Sequence, residues 1–405
     1  MFDCTRNLPA CSCDCDLLGL ASREMTRPSE KQPPSTRSES IISGRATPAG
    51  TRAFADRFTA LFAPDFYREA AELTVSSIGM GTYLGECDDD EDARYVRVIS
   101  EGIENGLNLL DTAINYRCQR SERAVGQALR EAVASGTAAR EEIVICTKGG
   151  YVPLEGAPPS SREAYDAYLE QEYFGPRVID PSELVAGGHC VTPGFLSNQI
   201  QRSRTNLGIE CIDLFYLHNP EQQLDTMERP RFLAAMREAF EMLEQHVRDG
   251  HIAAYGAATW NGFRTFAARK NYLSLRELVD VAKAVGGEKH HFRIVQLPVN
   301  LAMTEAVRSP TQTDDGKNVA LLDLARELGI SVVASATLMQ AQLTQNLPPA
   351  VQKLFPSSRT DAQRAISFVR SLPVAAALIG MRSPNHLEEN LQSASPPPPA
   401  RASRS

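Results

Sequence analysis

The chain has no run of about 18 consecutive apolar residues, so no segment can cross a membrane as a helix. It has no excess of positive charge: 42 Lys and Arg stand against 50 Asp and Glu, for a net charge of -8. A general nucleic-acid binder needs a basic footprint, and that class is set aside. Regular cysteine spacing is also missing. Cys4, Cys11, Cys13 and Cys15 crowd the start, while Cys87, Cys118, Cys146, Cys190 and Cys211 lie one to a segment. Scattered thiols fit a reducing compartment better than a disulfide framework, so the expected location is cytoplasmic. The crowded group has no second Cys or His pair to complete a zinc site, and no metal is expected. Leu8-Pro9-Ala10-Cys11 imitates a lipoprotein cleavage site, but no apolar stretch precedes it and Asp3 interrupts the region.

Three further motifs are lacking. Gly79, Gly81 and Gly85 miss the G-x-G-x-x-G spacing of a dinucleotide fold, and no G-x-S-x-G elbow exists. The acidic run from Glu86 to Asp92 lacks the glycine and the final glutamate of a calcium loop. It reads as a helix start whose charges complement the helix dipole. His290-His291 reads as a loop. What the chain does have is 42% hydrophobic and 23% charged residues, an ordinary globular balance that buries a sizeable core.

Residues 26–60 are rich in Ser, Thr, Pro and Arg without apolar period. The sequence therefore predicts a loosely ordered arm over 1–65, a folded unit over 70–392 and a Pro- and Ser-rich disordered tail over 393–405. Translation could start at Met1 or at Met25. Within the folded unit, short apolar runs recur at 77–80, 107–110, 143–147, 212–217, 253–256, 294–297, 331–334 and 375–379. Most are continuous, as for strands buried on both faces. Helical patterns separate them, such as Tyr95, Val96, Ile99 and Ile103, or Ala124, Val125, Ala128, Leu129 and Ala132. Eight strand-helix units predict a (β/α)8 barrel, with a doubly wound sheet as the rival. The long segment 149–192 follows the third strand and is expected over the catalytic face, with Tyr151, Tyr165, Tyr168, Tyr173 and Phe174 as candidates to line a pocket.

In such a barrel, functional groups sit just past the C-terminal ends of strands. Asp111, Lys148 and His218 end three consecutive runs, and Tyr116 lies on the loop after Asp111. A phenol near pKa 10 is a weak acid; an ammonium beside it favours the phenolate. The carboxylate keeps the lysine charged, and the imidazole hydrogen-bonds a polarised carbonyl oxygen. Such a set delivers a proton to a developing alkoxide, so the hydride must come from a nicotinamide cofactor. Arg117 and Arg120, beside Tyr116, are candidates to bind an anionic substrate group or to form structural ion pairs. Cys118 is a candidate reactive thiol.

These motifs resemble those of the aldo-keto reductases. The segment from Leu109 to Tyr116 is similar to that family's aspartate-to-tyrosine signature, 145–148 to its lysine strand, 214–220 to its histidine strand, and 379–390 to its last cofactor segment. The resemblance spans 73–390. It implies that Asp111, Tyr116, Lys148 and His218 are catalytic, with Tyr116 the general acid or base. It implies that Gly81, Thr82, Tyr83, Thr259, Gln296, Arg382, Glu389 and Asn390 bind the cofactor, NADP(H) in preference to NAD(H). The implied activity is reversible reduction of an aldehyde or ketone, a sugar among them, to an alcohol. The alternative is a cofactor-binding regulatory protein on the same barrel with negligible turnover. The expected partner is a small carbonyl or alcohol substrate, and the expected state a monomer. Several positions depart from the family pattern. Arg117 follows the tyrosine where Gly is common, and Thr259 replaces an asparagine. Ser335 stands where an aromatic stacks on nicotinamide, and Gly380 and His386 stand where cations meet a 2′-phosphate.

Overall fold

The computed structural model describes residues 41–395. An antiparallel hairpin comes first, β1 (Tyr67–Ala70) and β2 (Leu73–Ser76). Then follow β3 (Ile78–Gly81), β4 (Leu109–Asp111), β5 (Val144–Gly149), β6 (Ile212–His218), β7 (Ile252–Ala258) and β8 (Phe292–Pro298). A second hairpin, β9 (Gln312–Asp314) and β10 (Lys317–Val319), precedes β11 (Ser331–Ser335) and β12 (Ala376–Gly380). Strands β3 to β8, β11 and β12 pair in parallel and close on themselves, with β12 beside β3. This is a (β/α)8 barrel, and its eight strands coincide with the eight apolar runs to within a few residues.

The continuous runs have a physical reason. Leu214 and Tyr216 of β6 join Leu109, Cys146, Ile294 and Val333 in the cluster filling the barrel. Their neighbours Phe215 and Leu217 join the larger cluster under the helices. Both faces of each strand are therefore dry, and period-two alternation disappears from the sequence. The helices end as expected: Gly136 closes Arg120–Ser135 at φ 74°, a region open to glycine, and its N–H reaches Ala132 O.

The expected loose arm over 1–65 is corrected over its described part. Pro48–Phe58 is a helix capped by the Thr47 side chain, which accepts from Gly50 N at 2.9 Å. It buries Phe54, and Phe62 and Phe66 stack beyond it with centroids 3.8 Å apart. Gly50 lets this helix approach the 140–142 turn, since a Cβ there would lie 2.4 Å from Glu141 O. The hairpin β1–β2 places Ala70, Leu73 and Val75 in the interior cluster of the barrel. The expected tail is corrected at its start, where Ala394 is buried and accepts from Ala63 N. The expectations for 1–40 and 396–405 lie outside the described residues. Among the described residues no helix is long and apolar enough to cross a membrane.

Candidate active site

The parallel strands deliver their last residues to one rim. Asp111 ends β4, Lys148 is the last but one residue of β5, and His218 ends β6. Lys148 is buried, and its Nζ donates to Asp111 Oδ1 at 2.5 Å and to Thr112 O at 2.8 Å. Gln296 Nε2 donates to the other carboxylate oxygen at 2.8 Å. Burial pushes the Asp111 carboxyl up, against the pull of Lys148 and Gln296. Lys148 Nζ stands 4.9 Å from the centroid of the Tyr116 ring, and the Tyr116 and His218 rings meet edge to face with centroids 5.8 Å apart. Burial, then the nearby Lys148 charge, lowers His218 well below its ordinary pKa. Its imidazole is neutral at pH 7.

Eleven of the twelve residues implied by the resemblance line a single cavity of about 680 Å³: Gly81, Thr82, Tyr83, Asp111, Tyr116, His218, Thr259, Gln296, Arg382, Glu389 and Asn390. The twelfth, Lys148, supports Asp111 at its edge. Tyr116 and Tyr151 both set their rings edge to face against that of His218, at 5.8 and 4.9 Å, while Arg382, His386, Glu389 and Asn390 line the cavity from the segment after β12. Buried side-chain atoms along the cavity lack hydrogen-bond partners: Thr259 Oγ1, Thr337 Oγ1, Asn115 Oδ1 and His218 Nδ1. Unpaired buried polar atoms carry a cost that an amide-bearing ligand relieves. Gly81 and Gly380, paired across β3 and β12, leave the groove wall bare, where a Cβ would project. The donors and the groove fit a nicotinamide dinucleotide.

Several side chains do more than the sequence indicated. Thr82 Oγ1 donates to Asp111 O at 3.2 Å, and Gln296 is engaged with Asp111. Arg382 forks onto Glu91 with both contacts at 2.6 Å, and Arg94 adds a third at 2.8 Å. Burial would raise the Glu91 carboxyl, but these guanidiniums outweigh it and hold the carboxyl below its ordinary value. The acidic run is a helix start, with Asp88 accepting from Glu91 N. Arg117 does not face a substrate. It is buried, donates to Glu86 O at 2.8 Å and pairs with Asp92 at 2.6 Å. Its φ of 48° is one that glycine adopts without cost. Arg120 pairs with Asp89 and Asp92. Of these two arginines neither lines the cavity. Ser335 does line it, at the end of β11.

The segment 149–192 packs Val152, Leu169, Tyr173, Ile179 and Cys190 into a small core with Phe195 of the helix Pro193–Leu207. Of the five aromatic candidates only Tyr151 lines the cavity. Its ring meets that of His218 at 4.9 Å, and its hydroxyl accepts from Asn219 at 2.8 Å and Gln222 at 2.7 Å. Tyr173 is fully buried, and Tyr165 and Tyr168 bond to backbone carbonyls. Nothing in the sequence separates Tyr151 from the other four except its closeness to Lys148. The loop Ala336–Ala341 also lines the cavity, and no motif marked it.

His189 braces the site from below. Its Nε2 donates to His218 O at 2.7 Å, and Gln223 Nε2 donates to its Nδ1 at 2.7 Å. Burial lowers its pKa to about 4. In the unfolded chain this group titrates near its ordinary value, so folding excludes its proton between those limits. Stability from His189 is present above about pH 6.5 and is lost as pH falls towards 4, by about 3 kcal/mol in all. Denaturant unfolding of wild type and His189→Gln between pH 7 and pH 4.5 checks this. The wild type is expected to lose more stability than the variant; parallel profiles would remove His189 as the cause.

A family model described as "Aldo/keto reductase family" matches residues 77–398. The chain is similar to "Uncharacterized oxidoreductase YqkF" of Bacillus subtilis (strain 168), 27% identical over 210 residues, which is 51% of this chain and 52% of that protein. It is also similar to "NADH-specific methylglyoxal reductase" of Escherichia coli (strain K12), 27% identical over 192 residues, 46% of this chain and 49% of that one. The chain thus spans about half the length of these curated relatives. A solved aldo/keto reductase from Klebsiella pneumoniae, in complex with NADP and acetate, superposes with a TM-score of 0.53 at 19% identity, covering 82% of this chain and 90% of that one. The fold is shared with that structure, and the match over 77–398 spans the barrel and every residue of the rim. By that match, the chain belongs to the aldo/keto reductase family.

Proposed function

We propose that the chain reduces the carbonyl of a small aldehyde or ketone, reversibly, with NADP(H) as the favoured cofactor and NAD(H) as the second choice. The observation that carries this reading is the buried Lys148–Asp111 pair set beneath Tyr116 and beside a neutral His218 at the cavity. When bound, the reduced nicotinamide supplies the hydride. Tyr116 delivers its hydroxyl proton to the carbonyl oxygen and takes it back in the alcohol direction. Lys148, kept charged by Asp111, favours the phenolate that remains. His218, being neutral, donates a hydrogen bond to the carbonyl oxygen without competing as an acid. Tyr151 and Trp260 line the same cavity. Thr259 and Gln296 would hold the carboxamide, and Glu389 and Asn390 the adenine end.

Arg382 supports the choice of NADP(H). It is the one arginine or lysine among the described residues lining the cavity, and Glu91 fixes its guanidinium. A sugar is among the carbonyl substrates that this reading admits. Ser335 favours the alternative, a cofactor-binding regulatory protein, because it leaves a nicotinamide ring unstacked on that side. A panel of small aldehydes and ketones with NADPH or NADH separates the two. The reductase reading expects one alcohol formed for each cofactor oxidised. Saturable cofactor binding with no oxidation above buffer on any of the panel would favour the regulatory reading.

A further inference from the structure

Two thiols meet outside the cavity, on the two loops that carry Tyr83 and Tyr116. Cys87 Sγ and Cys118 Sγ are 3.5 Å apart. Cys87 lies four residues after Tyr83, on the loop from β3 to the helix Asp89–Glu104. Cys118 lies two residues after Tyr116. Cys87 is half-buried, whereas Cys118 is 6% exposed. The contact is not accidental slack between mobile loops. Arg117, Cys118 and Gln119 all take left-handed φ, at 48°, 54° and 70°, a costly run for residues with side chains. Neighbours on both sides hold it there: Arg117 on Glu86 O and Asp92, Gln119 on Leu154 O at 3.0 Å, and Cys118 O on Gly156 N at 3.0 Å. These contacts keep Cys118 beside the Cys87 loop despite the strain.

We propose that Cys87 and Cys118 are an oxidative modification site: a dithiol that a hydroperoxide converts to a disulfide, with a consequence for Tyr116. The more accessible thiolate, Cys87, attacks a peroxide oxygen. An S–O bond forms, the O–O bond breaks, and the departing oxygen leaves as water from hydrogen peroxide or as the alcohol from an organic hydroperoxide. Cys118 then attacks the Cys87 sulfur; the S–S bond forms, the S–O bond breaks, and the second oxygen leaves as water. Two thiols lose two electrons, one peroxide gains them, and both thiol protons end in the water or alcohol released. An external dithiol reverses the change by exchange.

Bonded sulfurs lie near 2.05 Å, so closure brings the two sulfurs about 1.5 Å nearer, a shift that the side chains and their loops share. Tyr83 and Tyr116, whose rings already meet at 5.1 Å, ride on those loops. A displacement of about 1 Å at a reacting group can cost about 10²-fold in rate. Oxidation is therefore expected to lower turnover by at least about tenfold, reversibly. Cys146, Cys190 and Cys211 are buried elsewhere and stay reduced.

The test treats the full-length chain with hydrogen peroxide, blocks remaining thiols with an alkylating agent, and maps tryptic peptides without reduction. Cys118 falls on the peptide 118–120 and Cys87 on 69–94. The expected product is those two peptides joined, two hydrogens lighter than their sum, and separated again by dithiothreitol. Cys87→Ser is expected to keep its untreated turnover and to resist peroxide. Recovery of both peptides alkylated after peroxide treatment that oxidises other thiols would overturn the proposal. So would equal peroxide inactivation of Cys87→Ser and wild type. The peptide map stands without any assumption about the reaction; only the turnover arm rests on the proposed reductase.

Discussion

Replacing Tyr116 with phenylalanine is expected to lower kcat by about 10²–10⁴-fold, the range for removal of a positioned general acid. The ring stays, so its edge contacts with Tyr83 and His218 persist and folding is unchanged. Cofactor affinity should remain within about twofold of wild type, because the hydroxyl acts on the reacting oxygen and not on the dinucleotide. This split distinguishes a proton donor from a residue that merely shapes the pocket, which would raise KM and leave kcat near its starting value. The measurement is steady-state turnover on whichever carbonyl the panel identifies, beside a cofactor titration. A Tyr116→Phe enzyme with full kcat would remove the phenol from the chemistry.

The second large effect is on stability. Lys148→Met keeps the length of the side chain but leaves the buried Asp111 carboxyl facing Gln296 alone. Removing one member of a buried ion pair costs about 3–5 kcal/mol, because the other is left uncompensated. Replacing both members removes most of that cost. The single variant Lys148→Met should therefore unfold at lower denaturant than wild type, and Asp111→Asn/Lys148→Met should recover more than half of the loss. Turnover should fall in both, since neither keeps an ammonium beneath Tyr116. Equal stability of the single and double variants would mean that the pair is not the electrostatic unit described here.

The parts of the fold readable from the chain are those buried on two faces. A strand such as β6, packed by Leu214 and Tyr216 inside and Phe215 and Leu217 outside, has to be apolar throughout, and its ends are then visible. The rim follows from the same fact, because Asp111, Lys148 and His218 are polar residues at the C-terminal ends of such runs. The hairpin β1–β2 was hidden because its turn is Ala71-Glu72, at φ 49° and 69°, without the Asn or Gly that marks such turns. The helix Pro48–Phe58 was hidden because its apolar residues are mostly alanines among Pro, Gly, Thr and Arg; it is held by a cap, a proline start and the buried Phe54. Arg117 and Arg120 stand next to Tyr116 in sequence, yet their guanidiniums turn to Asp92 and Asp89, partners that only the folded chain brings near. The choice of Tyr151 among five aromatic candidates likewise depends on how residues 149–192 pack over their own core.

The central claim is that this cavity holds a nicotinamide dinucleotide, and its most direct test needs no knowledge of the substrate. Trp260 is the sole tryptophan and lines the cavity, its backbone N–H held by Glu221 at 2.9 Å. Titration of the chain with NADPH and with NADH, followed by tryptophan emission and in parallel by calorimetry, reads binding twice. The account predicts saturable quenching with one site per chain, tighter for NADPH, and weakened when Arg382 is replaced by alanine. Absence of both quenching and heat with either cofactor would contradict it.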